Sequence, residues 1–406
     1  MTDDGESIGL FEPLLVSQGA KSRSRLNELA QTLAAKSAAL STSLPLPMTD
    51  AVVDLIRVTD CFYSNRIEGH MCRPLDIDRA MRGEFSAEED IRAFQLEARA
   101  HIAAQTWIDD GGIAAEPFSV EAVCQVHKRF CELLPSGLLL VDAPDSGLPL
   151  SVEPGAIRTV GVRVGRHVAV SAGAVPRFLA RIERAYRSTG QIDGILSAAC
   201  GHHRLLWVHP FLDGNGRVAR LVSYSALRNS IGTKSLWSLA RGLARREQEY
   251  KSHLQSCDEP RRGSLDGRGS LSESALAAFV EFFLATCIEE VDFINDLVQP
   301  LKLRDRVRTW GLEQLRMGRF PPGSDALLAA LVRSGRLDRA EVAILIGATD
   351  GLDRQLITAL VESGIVQSDD PHSPLRLSFP IKLVDQLLPG LLPSESDVAP
   401  SMGETS

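Results

Sequence analysis

Apolar residues recur at helical spacing through most of this chain. Leu26, Leu29, Leu33 and Ala34 mark a helix within residues 24–40, and Val52, Leu55, Ile56 and Cys61 mark another over 50–68. Gly69 stands where that second helix would stop. The same periodicity predicts helices over 88–107, over 120–134 with Ser119 as the cap, over 174–189, and over the densely apolar 195–208. A short run of small and polar residues then interrupts the pattern before Val218, Leu221, Val222 and Ala226 resume it. Residues 242–254 and 272–301 continue the helical series. One stretch departs from the rule. Residues 154–170 alternate and are rich in valine, with Gly165-Arg166 as a glycine-first turn, so a β-hairpin is predicted there.

Beyond residue 301 the pattern turns charged. A connector helix is predicted over 302–320, closed by Pro321-Pro322-Gly323. Residues 325–380 then read as a separate small unit. It has helices at 326–332, 338–346 and 352–363, a turn at 347–351, and two strands at 364–366 and 375–379. Residues 1–22 read as a loosely held arm, and 257–272 as an exposed loop. The chain's polar end, over 391–406, reads as a disordered tail. The resulting fold class is mainly α.

Composition narrows this picture. A chain of 406 residues calls for two or three domains, and 44% apolar residues suit a globular protein. The net charge of −8 lacks the basic balance of a nucleic-acid binder. Seven cysteines, an odd number without any CxxC pair, fit reduced thiols rather than a disulfide framework. No apolar run approaches the roughly 18 residues of a membrane span. The acidic start Met1-Thr2-Asp3-Asp4 lacks the order of a signal peptide. A cytoplasmic protein without membrane contact is expected.

The interruption before Val218 carries the chemistry. It reads His209-Pro210-Phe211-Leu212-Asp213-Gly214-Asn215-Gly216-Arg217-Val218-Ala219-Arg220. Asp-Gly and Asn-Gly alone would suit a hairpin turn. Helical patterns on both sides make this a helix–loop–helix instead. A glycine loop entering a helix N-terminus is an anion site, because the first N–H groups lack internal partners and the dipole adds positive charge. Gly214 and Gly216 let an anion approach the backbone closely. Arg217 and Arg220, one turn apart, would share a face and offer guanidinium forks to phosphates. Asp213 is a hard oxygen ligand suited to Mg²⁺, and His209 is a base for neutral pH. His202 lies on the same helical face as His209, and the preferred reading is a hydrogen-bonded structural histidine, since no further ligands sit nearby at zinc spacing.

The stretch resembles the signature of the Fic family, His-Pro-Phe-x-Asp-Gly-Asn-Gly-Arg-x-x-Arg, and matches every specified position. The resemblance implies a Fic helical core over 116–300 with a β-hairpin flap near 156–171. It also implies transfer of AMP from ATP to a hydroxyl side chain of a target protein. His209 would be the catalytic base and Asp213 the Mg²⁺ ligand. Asn215 and the amides of Gly214 and Gly216 would hold phosphates, with Arg217 and Arg220 at the β and γ groups. Ser64 to Gly69 resembles the inhibitory Ser/Thr-x-x-x-Glu-Gly/Asn pattern of self-inhibited members, on a helix near 50–68 within an N-terminal region over 1–115. Glu68 would then pair with Arg220 and fill γ-phosphate space. Val164, Gly165, Arg166 and His167 would form the flap tip touching nucleotide. Tyr250 is assigned near the adenine and Asp258 near the ribose or base.

Residues 321–390 resemble a winged helix-turn-helix. Asp353, Glu362, Asp369 and Asp370 oppose phosphate contact, so a protein-contact or homodimer role is preferred and DNA binding is left open. Two alternatives accompany AMP transfer. One is other Fic chemistry, with a different nucleotide or removal of AMP. The other is a nucleotide-sensing, non-enzymatic DNA regulator.

Overall fold

In the computed structural model, residues 2–70, 72–113, 116–142, 147–187, 190–234, 236–347 and 351–394 are described. Helices α1 (Arg23–Ser43) and α2 (Leu46–Ile67) open the chain, with Pro47 in the first turn of α2, where its missing N–H costs nothing. Next come α3 (Pro74–Met81), α4 (Glu89–Asp109) and α5 (Val120–Cys131). The Ser119 hydroxyl caps α5 by accepting from the Ala122 N–H at 3.1 Å. Two small antiparallel pairs follow: β1 (Leu140–Asp142) with β2 (Pro149–Ser151), and β3 (Arg163–Val164) with β4 (His167–Val168). The helical series continues through α6 (Val175–Tyr186), α7 (Gln191–Val208), α8 (Asn215–Ile231), α9 (Leu239–Arg245), α10 (Glu247–Cys257) and α11 (Glu273–Leu297).

Helix α7 is the axis. From Gly194 to Leu205 every side is buried, and it packs on α1, α6, α8 and α11. Among the described residues, no helix is long and apolar enough to cross a membrane. All seven cysteines are free thiols.

The C-terminal part runs α12 (Pro300–Arg316), α13 (Ser324–Ser334), β5 (Arg336–Leu337), α14 (Arg339–Ile346), α15 (Leu352–Glu362), β6 (Val366–Gln367), β7 (Leu375–Leu377) and α16 (Ile381–Leu387). Its sheet has the order β5-β7-β6, antiparallel throughout. Asp338 and Glu341 form a capping box at the start of α14. Strands β1, β2 and β5 and helices α3 and α16 were not legible in the pattern.

Several expectations are corrected. The N-terminal arm is not loose: Phe11 is fully buried against Phe178 and Trp207, and Leu14 and Val16 are buried too. Arg177 donates to Asp3, and Arg204 donates to the Pro13 carbonyl at 3.0 Å. The predicted hairpin shrinks to two residues per strand, and of residues 156–162 entering it only Arg158 is buried, bonded to main-chain carbonyls. The helix predicted over 242–254 breaks at Arg246. The connector helix, though charged, buries Leu303, Val307 and Trp310. The C-terminal unit also packs back on the rest, β7 against α2 and α16 against α3. Leu391 and Leu392 are buried, so the polar tail does not begin at residue 391. The rest of that tail beyond 394 and the turn at 348–350 lie outside the described residues.

Candidate active site

Helix α7 ends at Val208, and His209 then turns into the left-handed region, with φ 51° and ψ 64°. Among the described residues it is the one non-glycine residue with positive φ. Such a backbone persists only where the surroundings over-determine it. They do so here. The His209 N–H donates to the Leu205 carbonyl at 3.1 Å, and the His209 carbonyl accepts from Arg158 Nε at 2.7 Å. The Pro210 carbonyl accepts from the Arg158 N–H at 2.9 Å.

Phe211 anchors the loop. Its ring is fully buried and lies flat on the imidazole of His127, 3.9 Å between centroids. Asn215 closes the loop with both ends of its amide: Oδ1 accepts from the Phe211 N–H at 3.0 Å, and Nδ2 donates to the Phe211 carbonyl at 2.9 Å. Two hydrogen bonds of the Asn215 amide thus brace the loop backbone, leaving one Nδ2 hydrogen and one Oδ1 lone pair for other partners. Gly214, at φ 77°, caps α8, and the helix N-terminus opens beside it.

A cleft of about 710 Å³ lies over this N-terminus. Its walls include Glu68 from the end of α2, His209, Gly216 and Arg220, the hairpin residues Val164, Gly165, Arg166 and His167, and Tyr250 and Asp258 from α10 and its end. Residues as distant in sequence as Glu68 and Asp258 are thus brought to one place. Burial lowers the pKa of His209 to about 4, reinforced by the positive charge of Arg158, so the ring is neutral near pH 7. The neutral ring carries one donor and one acceptor nitrogen.

Arg220 is buried, and Glu68 is its carboxylate partner. Arg220 Nη2 donates to Glu68 Oε1 at 2.5 Å, and Arg220 Nε donates to the Ser64 hydroxyl at 2.8 Å. Burial by itself pushes the Glu68 carboxyl up, but the charge of Arg220 and its hydrogen bond, with Arg217 nearby, hold it below its ordinary value. The pairing read from Ser64 to Gly69 is present in the fold.

Other expected residues divide. Arg217 does not share the cleft with Arg220. One turn of helix rotates it away, to sit 4.9 Å over the Phe130 ring and 3.5 Å from Glu97. Asp213 is exposed on the rim, beyond the cleft walls. Tyr250 contributes to the wall but is only 2% exposed, with its hydroxyl 2.7 Å from His202 Nε2. Tyr250 is therefore a core aromatic with little face to offer a base. His202 is a structural histidine, its Nδ1 also 2.9 Å from the Ser223 hydroxyl. Asp258 stands 3.1 Å from His203 Nε2.

Several residues here were not found from the sequence. Arg158 and His127 hold the loop, and no local spacing marks them. Tyr250, Leu254 and Asp258 do carry a signal, since i, i+4, i+8 places them on one helix face.

Residues 117–227 match the model of the Fic/DOC family. A stretch of 73 residues is 49% identical to protein adenylyltransferase fic-1 of Caenorhabditis elegans, covering 18% of this chain and 14% of that protein. Another of 78 residues is 36% identical to protein adenylyltransferase Fic of Drosophila yakuba, covering 19% and 16%. The match thus spans about a seventh of the length of these curated relatives. Among solved structures, a Fic family protein from Desulfovibrio desulfuricans G20 superposes with a TM-score of 0.53 at 18% identity, over 90% of this chain and 98% of that one. Fic-1 of C. elegans gives 0.50 at 16% identity, over 67% and 72%. These two likenesses concern the fold. With its helical core, its small hairpin and a complete His209 to Arg220 loop at the cleft, this chain carries a Fic/DOC-family domain over residues 117–227.

Proposed function

We propose that this protein transfers AMP from ATP to a hydroxyl side chain of a target protein, and that Glu68 restrains it. The observation carrying this reading is the convergence of a neutral His209, the α8 N-terminus and the Glu68–Arg220 pair on one cleft. A cleft of that size is typical of nucleotide-sized ligands.

In this reading His209 takes the proton of the target hydroxyl. The freed oxygen attacks the α-phosphorus, a new P–O bond forms, and the bond to the β-phosphate oxygen breaks, releasing pyrophosphate. The α8 amides and Arg220 bind phosphate oxygens, while Arg217 supports them from behind through its charge. Asp213 is an exposed hard-oxygen donor, and among the described residues no cluster of three or more metal-ligating side chains exists. One carboxylate completed by phosphate oxygens and water is the habit of Mg²⁺, so Asp213 would hold it, and the ion would neutralise phosphate charge. Val164 and Val168 on the hairpin are exposed, which suits a target segment adding as a strand.

We also propose that residues 321–390 form a winged-helix unit that contacts protein. Exposed Ile344, Leu345 and Val361 support protein contact better than phosphate contact. The domain boundaries proposed with it are 1–115, 116–300 and a connector over 301–320.

The test is labelling with α-labelled ATP and Mg²⁺. Label transfer by Glu68→Gly that disappears on adding His209→Ala is expected. Persistent transfer without His209 would refute the role of that base.

A further inference from the structure

We propose that Arg158 is a positioning residue that locks the hairpin over the cleft to the strained backbone of His209. The inference rests on the proposed transfer reaction for its kinetic meaning, and on geometry for everything else.

Arg158 is among the most deeply buried side chains, 1% exposed. Arg220 has Glu68 and Arg241 has Glu290 as carboxylate partners, whereas Arg204, fully buried like Arg158, is held by the Pro13 carbonyl and His203. Arg158 too meets carbonyl oxygens. Its Nε donates to His209 O at 2.7 Å, Nη1 to Val160 O at 2.8 Å, and Nη2 to Val170 O at 2.5 Å. Val208 O also lies within reach of Nη2 at 3.5 Å. Burying a cation without an ion partner is costly, and burial lowers the pKa of Arg158 to about 10. A rigid fork that joins separated carbonyls is what guanidinium offers and ammonium does not.

The carbonyls it joins are informative. Val160 lies on the chain entering the hairpin, and Val170 lies on the chain leaving it. His209 and Val208 belong to the end of α7. One side chain therefore clamps both legs of the hairpin and fixes them to the loop that bears the base. The Arg158 N–H adds a further tie to Pro210 O. At the tip, His167 Nε2 lies 2.7 Å from the Trp207 carbonyl, a second tie to the same turn. Neither leg can slide without moving the carbonyls of residues 207–210. A target strand seated on the hairpin is thereby held in fixed register with His209. The ATP phosphates, held by α8 and Arg220, are seated by groups outside the hairpin.

The consequence is a split between kinetic constants. In the Glu68→Gly protein, adding Arg158→Lys or Arg158→Met should leave the KM for ATP within about twofold. It should lower kcat by about 10- to 100-fold, the scale of a misplacement near 1 Å, with lysine retaining the larger share. Hydrogen exchange should quicken together over residues 162–170 and 205–212 in both variants. An unchanged kcat, or a KM for ATP that rises in step with the fall in kcat, would overturn the proposal. So would unchanged exchange in the lysine variant, which keeps the buried charge and is the safer of the two for folding. Should Glu68→Gly with Arg158 intact transfer no AMP, the proposed function fails, and exchange still decides whether Arg158 couples the two segments.

Discussion

Glu68 Oε1 stands 2.2 Å from the point where a Cβ on Gly216 would sit. The carboxylate therefore occupies the mouth of α8, where a phosphate would be drawn by the same amides. Glycine at 216 is required by this acid as much as by any ligand.

The first prediction follows as a double-mutant cycle. Gly216→Ala should destabilise the protein by about 1–3 kcal/mol, since Glu68 is pinned by Arg220 and must be pushed aside. In a Glu68→Gly background the same change should cost little or stabilise by up to about 1 kcal/mol, from alanine's better helix propensity. Urea unfolding of the four proteins measures the difference. Equal effects in both backgrounds would mean that the two residues do not contend for space.

Ligand affinity provides the second. If Glu68 competes with the phosphates for Arg220 and the helix mouth, Glu68→Gly should tighten ATP binding by roughly 5- to 150-fold, the usual span of such couplings. Calorimetric titration with Mg-ATP reads this directly. Glu68→Gln, which keeps the shape and loses the charge, should fall between. Identical affinities in all three proteins would end the competition model.

Acid sensitivity is the third. Burial lowers the pKa of His127, His203 and His209 to about 4, and of His101 and His202 to about 3. The unfolded chain takes up protons near pH 6.5 while the folded chain refuses them, so stability is full above that pH and is lost as pH falls toward 4. Asp60, Asp54 and Glu290 oppose this: burial raises all three, Asp60 to about 6, and their contribution grows on acidification. Five histidines outweigh these three carboxyls. Glu68 adds its own loss only below its ordinary value of 4.5. The urea midpoint should therefore drop between pH 7.5 and 5.0. A flat or rising profile would contradict the burial of these rings.

What could be read in advance, and what could not, has a physical pattern. His209 to Arg220 was legible because its chemistry is contiguous: a base, a carboxylate, glycines and arginines within one loop. Glu68 was legible because a short pattern marks it at the end of a helix. Arg158 was not, because its partners are main-chain carbonyls, which leave no trace in side-chain type. Phe11 and Val16 escaped notice because isolated apolar residues have no period. The rotation of Arg217 toward Phe130 was missed because one turn of helix leaves enough angle for two neighbours to choose different partners. The valines of 160–170 suggested longer strands, yet the ladder holds only Arg163 with Val168 and Val164 with His167, while the Val160 and Val170 carbonyls accept from Arg158.

His209 holds its imidazole at the cleft by adopting a backbone that suits glycine better. Activity and sturdiness are thus set against each other at a single position. His209→Gly should melt at a higher temperature than the unaltered protein while transferring nothing, and calorimetry beside the labelling assay would reveal both. A chain of this kind can be made tougher there only by disarming it.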